Sequence, residues 1–256
     1  MSKIVSIHSF RGGTGKSNLT ANLAAIIAGT GQRVGIVDTD IQSPGIHVLF
    51  NLGDDRVTYS LNDYLWGRCK IEDTAYDVSD ILQKTPETAT SGGKIFLIPS
   101  SIKTGEIARI LSEGYEVSLL NDGFRELTRR LKLDYLFIDT HPGMNEETLL
   151  SIAISDVLVI IMRPDKQDFQ GTAVTIDVAR KLNVPKLLMI INKVLASYDA
   201  DALEKQVEAT YNVPVAGILP LAEDMVRLGS SDVFVLQFPN HPYTEKLRGI
   251  AGMVIG

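Results

Sequence analysis

The run Ser9-Phe10-Arg11-Gly12-Gly13-Thr14-Gly15-Lys16-Ser17 lies between a short apolar stretch, Ile4-Val5-Ser6-Ile7, and a helical one, Asn18 to Ala28. That order of buried strand, glycine-rich turn and helix restricts the fold more than any other feature of the chain. Closely spaced backbone N–H groups can all face one anion only where no Cβ intervenes, and Gly12, Gly13 and Gly15 meet that condition. The following helix places Leu19, Leu23, Ile26 and Ile27 on a helical period and stops at Gly29-Thr30-Gly31, with its positive end aimed back at the turn. The pattern predicts a phosphate cradle in which Lys16 reaches the terminal phosphates and the Ser17 hydroxyl ligates magnesium.

Further apolar runs recur at Val34 to Val37, Ile95 to Ile98, Tyr135 to Ile138, Val157 to Met162, Leu187 to Ile191 and Val215 to Leu219. They are nearly continuous rather than alternating, as expected of strands in a parallel sheet covered on both faces. Helical stretches such as Thr172 to Leu182 and Asp199 to Tyr211 fall between them. The expected fold is α/β and doubly wound, with a mainly parallel sheet and helices on both faces. With 256 residues and 45% apolar composition, the chain is read as one domain, 1–256.

Composition narrows the chemistry. A net charge of −6 argues against a surface that is basic throughout, while leaving room for a local basic patch. The single cysteine, Cys69, excludes an internal disulfide framework and a multi-cysteine metal or cluster site within one chain. His8, His47, His141 and His241 are scattered without ligand spacing. No apolar run approaches the roughly 18 residues that span a bilayer, and the N-terminus enters a core strand almost at once, so a cytoplasmic protein is expected. The stretch from Thr85 to Gly93 is polar and turn-rich, and reads as a surface loop.

In a doubly wound sheet, ligands collect beyond the carboxyl ends of the strands. The second run ends Asp38-Thr39-Asp40, and the fourth ends Asp139-Thr140-His141-Pro142-Gly143. Either acid segment also suits an ordinary strand-to-turn exit. Beside a phosphate cradle, such carboxylates tie magnesium and its water, and hold the attacking water.

The double glycine followed by Thr14-Gly15-Lys16-Ser17 resembles the deviant P-loop of the MinD/ParA family of ATPases. A search for the general loop signature would miss it, because Phe10 stands where glycine is asked for. The resemblance runs through nearly the whole chain. It implies that Gly12 to Asn18 bind nucleotide, that Lys16 and Asp40 are catalytic, with Asp40 positioning the attacking water, and that Ser17, Asp38 and Asp139 serve magnesium. Gly143 would swing its N–H toward the γ-phosphate. Asn192 and Pro220 fall where family members recognise adenine. Arg11 stands at the family's signature lysine, which reaches across a dimer to the partner's nucleotide. Lys166 is the alternative cation, as in the McdA branch, which positions carboxysomes with a distant lysine.

By the same resemblance, ATP and magnesium are the expected cofactors and a homodimer the expected ATP state. Hydrolysis would be slow until stimulated by an adaptor of the ParB/McdB kind. Binding to non-specific DNA, and so association with the nucleoid, would draw on Arg129-Arg130-Lys132, on Arg180-Lys181 with Lys186, or on Lys246 with Arg248. The segment Tyr243 to Gly256 reads as the last core helix rather than a basic amphipathic membrane anchor, which disfavours the membrane. The alternatives are a MinD/FlhG-like membrane-associated positioning ATPase, an ATP-dependent biosynthetic enzyme of the dethiobiotin synthetase type, and a nucleotide-gated scaffold that hardly hydrolyses ATP.

Overall fold

Each apolar run becomes a strand, and all lie in one sheet. The computed structural model describes residues 2–256. The strands are β1 (Lys3–His8), β2 (Arg33–Asp38), β3 (Tyr76–Asp77), β4 (Lys94–Ile98), β5 (Tyr135–Asp139), β6 (Val157–Met162), β7 (Lys186–Val194) and β8 (Val215–Pro220). Across the sheet they run β3-β4-β2-β5-β1-β6-β7-β8, parallel throughout except for the two-residue β3 against β4.

Helices fill the connections. In chain order they are α1 (Lys16–Ala28), α2 (Ile46–Leu49), α3 (Leu61–Leu65), α4 (Pro86–Ala89), α5 (Thr104–Glu113) and α6 (Ser118–Arg130). Then come α7 (Glu146–Ala153), α8 (Lys166–Lys181), α9 (Ala200–Tyr211), α10 (Glu223–Leu228), α11 (Phe234–Gln237) and α12 (Pro242–Ile255).

Successive side chains leave a strand on opposite faces. In β6, Val157, Val159 and Ile161 join the core with α1 and α12, while Leu158, Ile160 and Met162 pack with α8 and α9. β5 divides in the same way, Tyr135 and Phe137 toward α1, Leu136 and Ile138 toward α6. Both faces are covered, which is why the strand sequences are apolar without alternation. The first helix is enclosed almost all round. Ala21, Ala24, Ala25 and Ala28 have no accessible surface, and their small side chains let α1 lie close to the sheet and to α12 together.

Two expectations need correction. The eighth helix begins at Lys166, not Thr172, because Asp165 caps it by accepting from the N–H groups of Gln167 and Asp168. Its first turn is polar, so hydrophobic periodicity starts late. Nor is Thr85 to Gly93 a simple surface loop. Buried Thr85 caps the single turn α4, and a Cβ on buried Gly93 would stand 1.8 Å from the carbonyl oxygen of Ala28. Gly93→Ala is therefore expected to destabilise the chain by about 1–3 kcal/mol, read as a lower urea midpoint at unchanged slope. An unchanged midpoint would mean that this contact with the end of α1 is not maintained.

Candidate functional site

β1, β2 and β5 are parallel neighbours, so their carboxyl ends open at one edge of the sheet. Chain order reverses around β1, which has β5 on one side and β6 on the other. That crevice is where a doubly wound sheet binds ligand, and the glycine-rich loop crosses it.

In the loop, Gly13 and Gly15 take φ of +75° and +102°, a region that favours glycine. A Cβ on Gly15 would also lie 2.7 Å from Asn192 Nδ2. A cavity of about 310 Å³ opens beneath, lined by Gly12, Gly13, Lys16, Ser17, Asp40 and His141 among others. The Lys16 side chain is largely buried and its Nζ donates to Ser9 Oγ at 3.2 Å. Burial lowers its pKa, against the attraction of Asp139 and Asp40. The hydroxyl of buried Thr14 has no hydrogen-bond partner.

The acids gather because the strands are in register. Asp38 and Asp139 are paired positions of β2 and β5. Asp38 has no accessible surface and accepts from the N–H groups of Asp40 (3.0 Å) and Gly45 (3.2 Å). Burial, then the charges of Asp139 and Asp40, hold its pKa well above the carboxylate range. Burial raises Asp139 to about 6, opposed by a hydrogen bond from Ser17 and by Lys16. Thr20 Oγ1 also donates to Asp139 Oδ1 at 3.3 Å. Asp40 is raised by burial and eased by His141, whose Nε2 is 3.8 Å from its Oδ1.

The segment after Asp139 is fastened to β1. Thr140 donates to the Ile7 carbonyl from its hydroxyl (2.9 Å), and the Gly143 N–H donates to the Ser9 carbonyl at 3.3 Å. Gly143 has φ +89°. Since the Thr140 hydroxyl spends its hydrogen on Ile7, the contact to His8 Nδ1 at 2.8 Å makes Nδ1 the protonated nitrogen. Asn145 then caps α7 by accepting from Thr148 N–H.

An adjoining cavity of about 220 Å³ shares Gly15 and Asn18 with the first and is bordered by Asn192, Pro220, Met225 and Tyr243. Asn192 borders it, yet its amide is engaged: Nδ2 donates to the Thr14 carbonyl (2.7 Å), and Oδ1 accepts from Lys193 N–H (2.9 Å). One amide hydrogen is left for a ligand. Asn18 Nδ2 reaches Ser230 Oγ at 3.5 Å. Next to Asn192, the residue expected at the adenine, stands Lys193, whose contact with the loop the sequence does not announce: its Nζ donates to the Gly13 carbonyl at 2.7 Å. It sits in a register shift of β7 with φ +58°. The irregularity breaks the strand's alternation, so neighbouring side chains both meet the loop. A third cavity, about 340 Å³, lies at the far end of α1 against α12 and touches none of the strand-end acids.

Neither proposed crossing cation lines the phosphate cavity. Arg11 turns to α8, with Nη1 at 3.6 Å from both Asp165 and Asp168. Lys166, the first residue of α8, is exposed.

Residues 5–234 match the model of the CobQ/CobB/MinD/ParA nucleotide binding domain. The chain belongs to this family. An uncharacterized ATP-binding protein of Methanocaldococcus jannaschii is 27% identical over 100% of this chain and 89% of its own length. The fold is that of the septum site-determining protein MinD of Pyrococcus horikoshii OT3, solved with Mg-ADP, at TM-score 0.80, 20% identity and 99% and 96% coverage of the two chains. It is also that of apo McdA of Cyanthece, at TM-score 0.78, 17% identity and full coverage of both. MinD/ParA members of the family are ATPases, and the sheet matches their P-loop fold.

The crowded acids yield a pH prediction. The folded-state pKa of Asp139, about 6, lies above the 3.8 of an aspartate in water, so its ionisation costs stability above pH 6 and nothing below pH 4. Asp139→Asn should raise the melting temperature of the nucleotide-free chain at pH 8 by about 2–4 °C. The gain should fade as pH falls through 6 toward 4. A gain that is equal at both ends would show that the charge is not its cause.

Proposed function

We propose that the chain is a ParA-like ATPase. It binds ATP with magnesium, pairs with a second copy in the ATP state, and positions a cargo on non-specific DNA as an adaptor of the ParB/McdB kind stimulates hydrolysis. Carboxysomes are the cargo suggested by the McdA branch. The observation that carries the reading is the convergence of Lys16, Ser17 and Asp40 around one cavity under the glycine loop, with Asp139 buried behind it and hydrogen-bonded by Ser17.

The residues fit the ligands. Thr14 offers an unpartnered hydroxyl, and crowded carboxylates with raised pKa favour an added cation. Magnesium, when bound, neutralises phosphate oxygens, and Ser17, Asp38 and Asp139 are the residues that would hold it and its water. Among the described residues no cluster of three or more His, Cys, Asp or Glu is arranged to hold a metal, so phosphate and water would complete its shell. Lys16 stabilises charge on the terminal phosphates, and Asp40 orients the attacking water. Gly143 N–H, bonded to the loop, is free to exchange that carbonyl for a γ-phosphate. The engagement of Arg11 with α8 favours Lys166 as the cation that crosses to the partner.

For DNA, several basic residues are engaged within the molecule. Arg129 and Arg130 both hold Glu126, Arg180 meets the carbonyls at the end of α9, and Lys186 meets that of Met253. The last helix turns Leu247, Ile250 and Val254 into the core, which disfavours its use as a membrane anchor. Among the described residues no helix is long and apolar enough to cross a membrane.

The deciding experiment is binding to arbitrary duplex DNA with magnesium and either ATP or ADP. ATP-only binding that weakens with salt is expected. Binding in neither state would turn the reading toward the membrane-associated or carboxylate-phosphorylating alternatives. Asp40→Ala should lower kcat at least about 100-fold while ATP still binds, measured by phosphate release and titration. Unchanged turnover would remove Asp40 from its role.

A further inference from the structure

Phe10 and Arg11 are the residues by which the loop departs from the general signature, and both turn to the same helix. A Cβ on Gly171 in α8 would fall 2.1 Å from Phe10 Cδ1 and 2.8 Å from Phe10 Cβ. The ring thus occupies space that any side chain at 171 would need. Arg11 meets Asp165 and Asp168 on the first turn of the same helix. Those acids have partners of their own. Asp168 is nearly fully buried and accepts from the backbone N–H of Arg163 (2.8 Å) and from its Nε (3.1 Å). Asp165 caps the helix. Arg11 therefore docks on carboxylates already fixed in place.

We propose that Phe10 and Arg11 form an intramolecular clip that fixes the phosphate loop to α8, and that Asp168 is the residue that positions Arg11. The proposal rests on the nucleotide-binding reading above and assigns Arg11 a role within its own subunit. A loop of glycines has many unbound conformations, and ordering it beforehand lowers the cost of binding. The clip holds the part of the loop that leaves β1, while Asn192 and Lys193 of β7 hold the carbonyls of Thr14 and Gly13 further along it. It also couples the loop to the turn that begins with Lys166, so that a shift in one displaces the other.

The test is a double-mutant cycle on ADP affinity, measured by titration calorimetry with magnesium. The pair is partly exposed, with 40% of the Arg11 side chain accessible, so modest effects are expected. Arg11→Gln and Asp168→Asn should each weaken ADP binding about five-fold, and the double variant also about five-fold rather than about 25-fold. Arg11→Lys, which keeps a cation for Asp168, should recover part of the loss. Losses that multiply, or no loss in either single variant, overturn the proposal. A wild-type chain that binds no ADP overturns instead the nucleotide-binding reading, which keeps the two failures distinct.

Because Asp168 also holds Arg163, a second pair carries the same question without touching that carboxylate. Gly171→Ala should displace Phe10 and weaken ADP binding, and the Phe10→Ala/Gly171→Ala chain should bind no more weakly than Phe10→Ala alone. A Gly171→Ala chain that binds ADP like the wild type overturns the clip.

Discussion

One buried ammonium, that of Lys16, holds together a site that would otherwise repel itself. Parallel strands end at a common edge, so a carboxylate at the end of β2 becomes the register partner of one at the end of β5. Asp40 adds a third charge close by, as the mutual effects on Asp38 and Asp139 show. Burial, and a single lysine that does not balance the set, keep the carboxyl pKa values raised. His8, buried at the end of β1, does not add a second positive charge. Burial, with Lys16 and His141 nearby, drives His8 down to about 3, so its imidazole stays neutral at ordinary pH. The deficit of positive charge is left at the mouth of the cavity, where an incoming cation can make it good.

Local patterns carried most of the architecture. Apolar runs located the parallel strands, because a strand buried on both faces has no polar positions to break its pattern. The glycine loop and strand-end acids were visible for a related reason: strand ends and turns impose residue types on short segments. What stayed hidden depends on contacts between distant segments. The β3 strand is two residues long and too short to show a period. The place of Lys193 comes from a register shift between β7 and β8, which neither strand announces alone. Gly93 reads as one more turn glycine until Ala28 is set beside it.

Phe10 and Arg11 illustrate the same division. In the sequence both are departures from a motif, Phe10 in place of a glycine and Arg11 in place of the lysine that reaches a partner. In the fold their partners are Gly171, Asp165 and Asp168, more than 150 residues away in the chain. A glycine in a helix costs stability relative to alanine, and Gly171 is explained once the Phe10 ring fills the space above it.

The phosphate loop is thus tied to three separate elements. Ser9 accepts from Gly143 in the segment after β5, Asn192 and Lys193 of β7 hold the carbonyls of Thr14 and Gly13, and α8 receives Phe10 and Arg11. Each tie ends on a different part of the loop. On the nucleotide-binding reading, a ligand that took over one of these contacts would release the element at its other end. α7 follows the first tie and α8 receives the third, so the loop is linked to two helices on one face of the sheet through few and specific contacts of its own backbone and side chains.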